Sequence, residues 1–215
     1  GALAEKEAIT SVEEAVENDY KYVVIQAAPA VRAALGEEFG YPVGTNVEGN
    51  MYAAFNKLGF DDIGDVNWSA DLTIIEEGYE FIDRLQNGGT FPMFTSCSPG
   101  WIRYIEQYEP EYLENLSTCK SPHMMQGALT KQYHLPKYNI KPDKAVVVSV
   151  MTCIAKKFEI ERPEMESNGY RDIDAVLTTR ELARLIKRKE IDFRNLEDYR
   201  PTSQLAKFTG AANIF

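Results

Sequence analysis

The chain has 215 residues, 44% of them hydrophobic, which is enough to bury a core in one large domain or two packed lobes and is too apolar for disorder. Acidic residues outnumber basic ones 33 to 23, and the formal charge of −10 argues against nucleic acid or an anionic membrane as the main partner. No apolar run approaches the roughly 18 residues that span a bilayer, and the start lacks the basic and apolar blocks of a signal peptide, so the expected location is the cytoplasm.

An apolar run at 22–28 ends at Pro29, and 30–39 reads as a helix with Gly40 behind it. Two amphipathic stretches follow, 47–58 and 69–85, with a short strand near 63–66 between them. Ser69 is placed to cap the second, on which Leu72, Ile75, Tyr79, Ile82 and Leu85 recur at helical spacing and are expected to face the core. The strand-and-turn pattern returns at 90–95 before Ser96, Cys97, Ser98 and Pro99, at 145–151 before Thr152 and Cys153, and at 174–178 before Thr179. Further helices are predicted at 99–108, 121–133 and 180–189, and exposed loops at 135–141 and 161–171. Strands alternating with helices predict an α/β fold, with largely parallel sheets flanked by helices. The apolar ending at 210–215 reads as an interruption of a longer chain.

Three cysteines do not make a disulfide framework; in a reducing cytosol they are buried thiols, nucleophiles or metal ligands. Cys97 and Cys153 each follow a predicted buried strand, and open α/β sheets collect ligands beyond such strand ends. The alternative is that each is a small buried hydrophobe. Lys156, one helical turn after Cys153, either turns its ammonium toward whatever Cys153 binds or belongs to a solvated first turn with Lys157. Glu76, Glu77 and Glu80 form either a wet acidic helix face or, if one is buried, a proton relay. Ser121 reads as a helix start, and Cys119 as structural.

Taken together, Phe94 to Trp101 (Phe-Thr-Ser-Cys-Ser-Pro-Gly-Trp), 117–122, and Met151 to Glu159 (Met-Thr-Cys-Ile-Ala-Lys-Lys-Phe-Glu) closely resemble the first and second active-site signatures of iron-only (di-iron) hydrogenases, in order and with compatible separation. Segments at 28–32, 70–73 and 171–176 also resemble that catalytic domain, so the likeness covers about 22–215. It implies a closely packed two-lobed catalytic domain, of which about 1–135 is the first part and about 136–215 the start of the second lobe, with no accessory ferredoxin-like domain. It implies reversible reduction of protons to dihydrogen at a 4Fe-4S cubane. A cysteine bridges the cubane to a di-iron subcluster carrying CO, CN and a dithiolate.

By that resemblance Cys153 is a cubane ligand, Lys156 contacts a cyanide, and Met151 packs near a bridging carbonyl. Ala28, Pro29 and Ser121 border the di-iron pocket. Cys97 matches the thiol that passes protons to the dithiolate, and Glu77, Ser117, Glu80 and Glu159 match the relay leading outward. Three departures stand out. Ser98 occupies a cubane-ligand position, where a serine oxygen substitutes poorly for thiolate, so Cys97 is either ligand or relay. Thr152 replaces a proline before Cys153. The signature with the last two cysteines is absent, and a missing C-terminal segment or a partner chain is expected to supply them. An electron carrier such as ferredoxin is the expected redox partner. The other reading is a non-catalytic sensory or scaffold module that has lost its metal site.

Overall fold

The computed structural model describes residues 6–18 and 21–210. In chain order its strands are β1 (Tyr22–Ala27), β2 (Asp62–Asp65), β3 (Ala145–Met151), β4 (Glu166–Ser167), β5 (Tyr170–Arg171) and β6 (Ala175–Thr178). Four of them form one sheet in the order β2-β1-β3-β6, all parallel, while β4 and β5 make a separate antiparallel pair. The helices are α1 (Ile9–Val16), α2 (Val31–Ala34), α3 (Glu48–Leu58), α4 (Val66–Asn87), α5 (Pro99–Tyr108), α6 (Pro122–Leu129), α7 (Lys156–Glu159) and α8 (Thr179–Arg188).

The central strands β1 and β3 are valine-rich because both faces of the sheet are covered, the usual state of parallel sheets. Val23, Ile25, Val148, Val150 and Leu177 pack on one face with residues of α1, α3 and α8. Val24, Val147, Met151 and Val176 pack on the other with Met124 of α6, Leu135 and Leu205. The α/β expectation therefore holds, and strands from before and after residue 135 share one sheet. β1 is followed by β2 on one side and flanked by β3 on the other, so strand order reverses between β1 and β3. Ligand crevices form beyond the carboxyl ends of strands at such a point. Ala28 and Pro29 follow β1 there, and Thr152 and Cys153 follow β3.

Several expectations require correction. Residues 90–95 are not a sheet strand: Pro92 has no N–H to give a ladder, and the segment makes one isolated parallel bridge, Phe94 to Leu116. Cys97 therefore leaves a surface-lying loop and not a buried strand end. The helix at 69–85 begins earlier, at Val66, because Asp65 is the cap, its carboxylate accepting from the Asn67 amide at 2.8 Å. Ser69 lies inside the helix, with its hydroxyl on Val66 O and Gln126 Oε1.

The apolar stripe on α4 does not face the core. Ile75, Tyr79, Ile82 and Leu85 are 52, 69, 49 and 59% exposed, and Leu72 is half-buried. The side turned to residues 90–118 is polar instead, with Arg84 donating to the carbonyls of Thr90, Glu114 and Leu116. The helix at 30–39 tightens to 3-10 geometry after Ala34. The loop at 161–171 holds the β4–β5 hairpin, whose turn is Asn168-Gly169, both at positive φ as a two-residue hairpin needs. In the loop at 135–141, Leu135 is fully buried. Residues 211–215 and 1–5 lie outside the described residues, and with them most of the apolar ending and part of the start read for a signal peptide. Among the described residues no helix is long and apolar enough to cross a membrane.

Candidate active site

The turn after β1 is braced from beneath. Arg32 donates through Nε to the Pro29 carbonyl at 3.1 Å and through Nη2 to Asp65 Oδ2 at 2.7 Å, so the ends of β1 and β2 are tied to one guanidinium. Tyr52 donates to the same Asp65 oxygen at 2.5 Å, and burial followed by the Asp65 charge raises its phenol pKa. Arg32 also pairs with Glu48, which accepts from the exposed Arg200 at 2.6 Å. Above this brace opens a mainly apolar cavity of about 490 Å³, whose lining includes Pro29, Arg32, Ala70, Glu77, Cys97 and Pro122.

Lys156 links the two cysteine turns. Its Nζ donates to the Cys97 carbonyl at 2.6 Å, and its own amide donates to the Cys153 carbonyl at 3.2 Å. Both thiols are free and exposed, as are Ser98 and Thr152. Met151 is buried under the turn in the sheet core. Ala28 extends the β1–β3 pairing through its amide to Val150 O at 3.0 Å and is half-buried. Ser121 precedes α6, and its buried Oγ has no hydrogen-bond partner.

A line of acids leads away from the cavity. Glu77 lines the cavity beside Cys97, and burial raises its carboxyl pKa, assisted by the Glu80 charge and opposed by hydrogen bonds from Ser117 and the Ser96 backbone. Ser117 donates to Glu80 Oε2 at 2.8 Å. Burial works to raise Glu80 as well. The bonds from Ser117, from Arg84 (Nη2 at 2.5 Å) and from the Thr118 amide outweigh it, and Glu80 sits below the ordinary carboxylate range. Ser117 thus contacts both acids, its 2.8 Å bond running to Glu80. The inner acid is shifted up and the outer acid down from the ordinary carboxylate value. Glu76 is the exposed member of the trio. Cys119 is half-buried with its thiol 3.8 Å from Glu80 Oε2, and burial, then the acids nearby, raises its pKa against the Ser117 bond.

Glu159 is brought to a different group. Its Oε2 meets Lys156 Nζ at 2.8 Å and His123 Nε2 at 2.6 Å, deep under the Cys153 turn. Lys156 is thus buried in an ion pair and is not part of a solvated turn. Burial acts to raise Glu159, and the His123 and Lys156 contacts overcome it, leaving the carboxyl below its usual range. His123, Arg32 and Arg84 were not singled out in the sequence. Arg84 carried a signal, because Glu80 and Arg84 stand at i,i+4 on one helix face. His123 and Arg32 carried none.

The cluster implied by the resemblance needs four thiolates and a cation for its anionic ligands. The described residues fit it in part. Cys97, Cys153, the Lys156 ammonium and the unpartnered Ser121 hydroxyl suit it. Among the described residues no three His, Cys, Asp or Glu side chains converge.

Comparison with known proteins identifies the lineage. Residues 21–215 match the family model described as "Iron only hydrogenase large subunit, C-terminal domain". The chain is 51% identical over its full length to the NADP-reducing hydrogenase subunit HndD of Solidesulfovibrio fructosivorans, covering 38% of it, and 47% identical to iron hydrogenase 1 of Clostridium pasteurianum, covering 37%. It is also 32% identical, over 85% of its length, to the cytosolic iron-sulfur assembly component 3 of Bos taurus, covering 40% of that protein. Among solved structures, an [FeFe]-hydrogenase HydA caught in stepwise H-cluster assembly superposes on 95% of the chain with a TM-score of 0.88 and 35% identity, the chain covering 52% of it. The chain thus spans about half or less of the length of these relatives. With the parallel sheet, the paired cysteine turns and a family match over residues 21–215, the chain belongs to the iron-only hydrogenase large-subunit family.

Proposed function

We propose that this chain is part of an iron-only hydrogenase that reversibly reduces protons to dihydrogen, and that it forms one wall of the active site. The observation that carries this reading is the line Glu77, Ser117, Glu80, which starts at the cavity holding Cys97 and ends on Arg84. A carboxyl shifted up, a hydroxyl and a carboxylate shifted down in series form a path along which protons pass by successive hydrogen-bond exchange. Cys97, as the innermost group, would accept or deliver the proton at the site.

In this reading Cys153 is a cubane ligand, with Cys97 or Ser98 beside it, and Lys156 presents its ammonium to an anionic ligand of the di-iron part. The bound group supplies the electrons and the metal on which protons are reduced. This chain's residues bind it, shield it and move protons. Met151, Ala28, Pro29 and Ser121 shape the pocket. Arg32 keeps Pro29 in place. Two further cysteines from another segment or a partner chain complete the ligand set, the 215 residues alone are inactive, and electrons arrive from a carrier such as ferredoxin.

The test is iron and sulfide analysis with electron paramagnetic resonance after reconstitution, on the 215-residue chain and on a full-length protein containing it. A cubane signal and dihydrogen evolution in the longer protein alone are the expected result. Absence of a cubane in the longer protein overturns the reading. That outcome would favour a non-catalytic module, for which Ser98 at a ligand position and the 32% identity to an iron-sulfur assembly component speak.

A further inference from the structure

Beneath the cysteine turns runs a buried polar chain that the acid line does not use. Gln26 of β1 donates through Nε2 to Ser149 Oγ of β3 at 2.9 Å and to the His123 carbonyl at 2.8 Å. Ser149 Oγ meets His123 Nδ1 at 3.1 Å, and His123 Nε2 meets Glu159 Oε2 at 2.6 Å. The same Glu159 oxygen accepts from Lys156 Nζ, whose second bond is to the Cys97 carbonyl. Gln26, Ser149, His123 and Glu159 are all buried, inside a sheet otherwise built of valines. Four polar side chains in such a core are costly unless each is satisfied.

The bonds also fix direction. Lys156 is a donor only, and an ionised carboxylate an acceptor only, so Glu159 faces Nε2 as an acceptor and Nε2 must carry the proton. Ser149 accepts from Gln26 and keeps one proton and one lone pair for Nδ1. Burial lowers the His123 pKa, as does the Lys156 charge, against the pull of Glu159. The chain ends inward on Gln26, an amide in the sheet core, and so leads no protons to solvent. Its outward end is Lys156, of whose three protons two are taken among the described residues, leaving one for a ligand.

We propose that His123 is a positioning residue: with a proton on Nε2 it fixes Glu159, and through Glu159 it aims the Lys156 ammonium between the Cys97 and Cys153 turns. The hydrogen-bonded chain itself stands apart from any catalytic assignment, whereas its purpose, holding a cation to an anionic cofactor ligand, rests on the proposed hydrogenase reading.

Nitrogen-15 NMR of the 215-residue chain tests the first part without a variant. A His123 signal with Nε2 protonated, titrating, if at all, below the ordinary imidazole value, is expected. A proton on Nδ1, or titration near the ordinary value of 6.5, overturns the proposal. In His123→Gln the carboxamide can still donate to Glu159, and the Lys156 ammonium protons should exchange as slowly as in the parent. In His123→Leu they should exchange at least about tenfold faster; equal exchange in the two variants overturns it. The second part is read from the infrared cyanide bands of the loaded full-length enzyme. His123→Leu should displace one band and His123→Gln should restore it. Unmoved bands alongside the expected NMR result overturn the cofactor-facing purpose while leaving the His123–Glu159 bond in place.

Discussion

Ser117 donates its hydroxyl proton to Glu80 at 2.8 Å, between Glu77 at the cavity and Arg84, which holds the far acid from the other side. Replacing Ser117 by Ala removes the middle member while leaving both acids. Dihydrogen evolution by the full-length protein should fall by about a hundredfold, the low end of what a lost proton-transfer group costs. The far-ultraviolet spectrum of the 215-residue chain should be unchanged.

Glu77 provides a pH signature that needs no cofactor. Its folded pKa is raised above the ordinary 4.5, so the folded state binds that proton more tightly than the unfolded chain does. The resulting stabilisation is complete below pH 4.5 and is lost as pH rises through the raised value. Urea midpoints of the parent chain should therefore decline over that window more steeply than those of Glu77→Gln, which has no proton to lose. Parallel curves would refute the upward shift at Glu77.

Lys156 is predicted to matter for stability as well as binding. Lys156→Met leaves Glu159 as a buried carboxylate held by His123 alone, and removing one member of a buried pair costs about 3 kcal/mol. Chemical denaturation of the 215-residue chain measures this directly. A loss under about 1 kcal/mol would mean that the pair behaves as a surface ion pair.

Gly127 on α6 marks a close approach. A Cβ there would lie 2.4 Å from Ile173 Cδ1 and 2.5 Å from the Asp172 carbonyl, and the backbone atom cannot move aside as a side-chain end can. Gly127→Ala should destabilise by about 1–3 kcal/mol, the range for overpacking a core, despite the better helix propensity of alanine. A raised melting temperature would refute the contact.

The parts of the fold readable in the sequence are those whose neighbours are generic. The runs at 22–28, 145–151 and 174–178 announce buried strands through their β-branched content, whichever strands they pair with. The loop at 90–95 deceived because an apolar run ending in a cysteine turn looks the same whether a ladder or a single bridge holds it. The α4 stripe deceived for another reason: helical periodicity reports that an apolar face exists, and says nothing of what covers it. Cys97 and Lys156 were singled out by position and spacing, and the roles of Glu77, Ser117, Glu80 and Glu159 came only through the resemblance to iron-only hydrogenases. His123 was not singled out, because its partners Ser149 and Glu159 lie 26 and 36 residues away and a lone histidine in an apolar helix is ordinarily core. The separate destination of Glu159 was equally invisible, since only the fold decides which buried groups share an oxygen.

The Arg32 brace makes the cavity wall a mechanical extension of the protein's outside. Arg200, exposed to solvent, grips Glu48; Glu48 grips Arg32; and Arg32 holds the carbonyl of Pro29. Ions or a docking protein that pull Arg200 away would slacken the outermost link first, and the Asp65 anchor, buried and shared with Tyr52, would still hold. The rim is therefore built like a tent rope with a fixed inner peg and an adjustable outer one: surface chemistry can change how tautly Pro29 is held without letting it go.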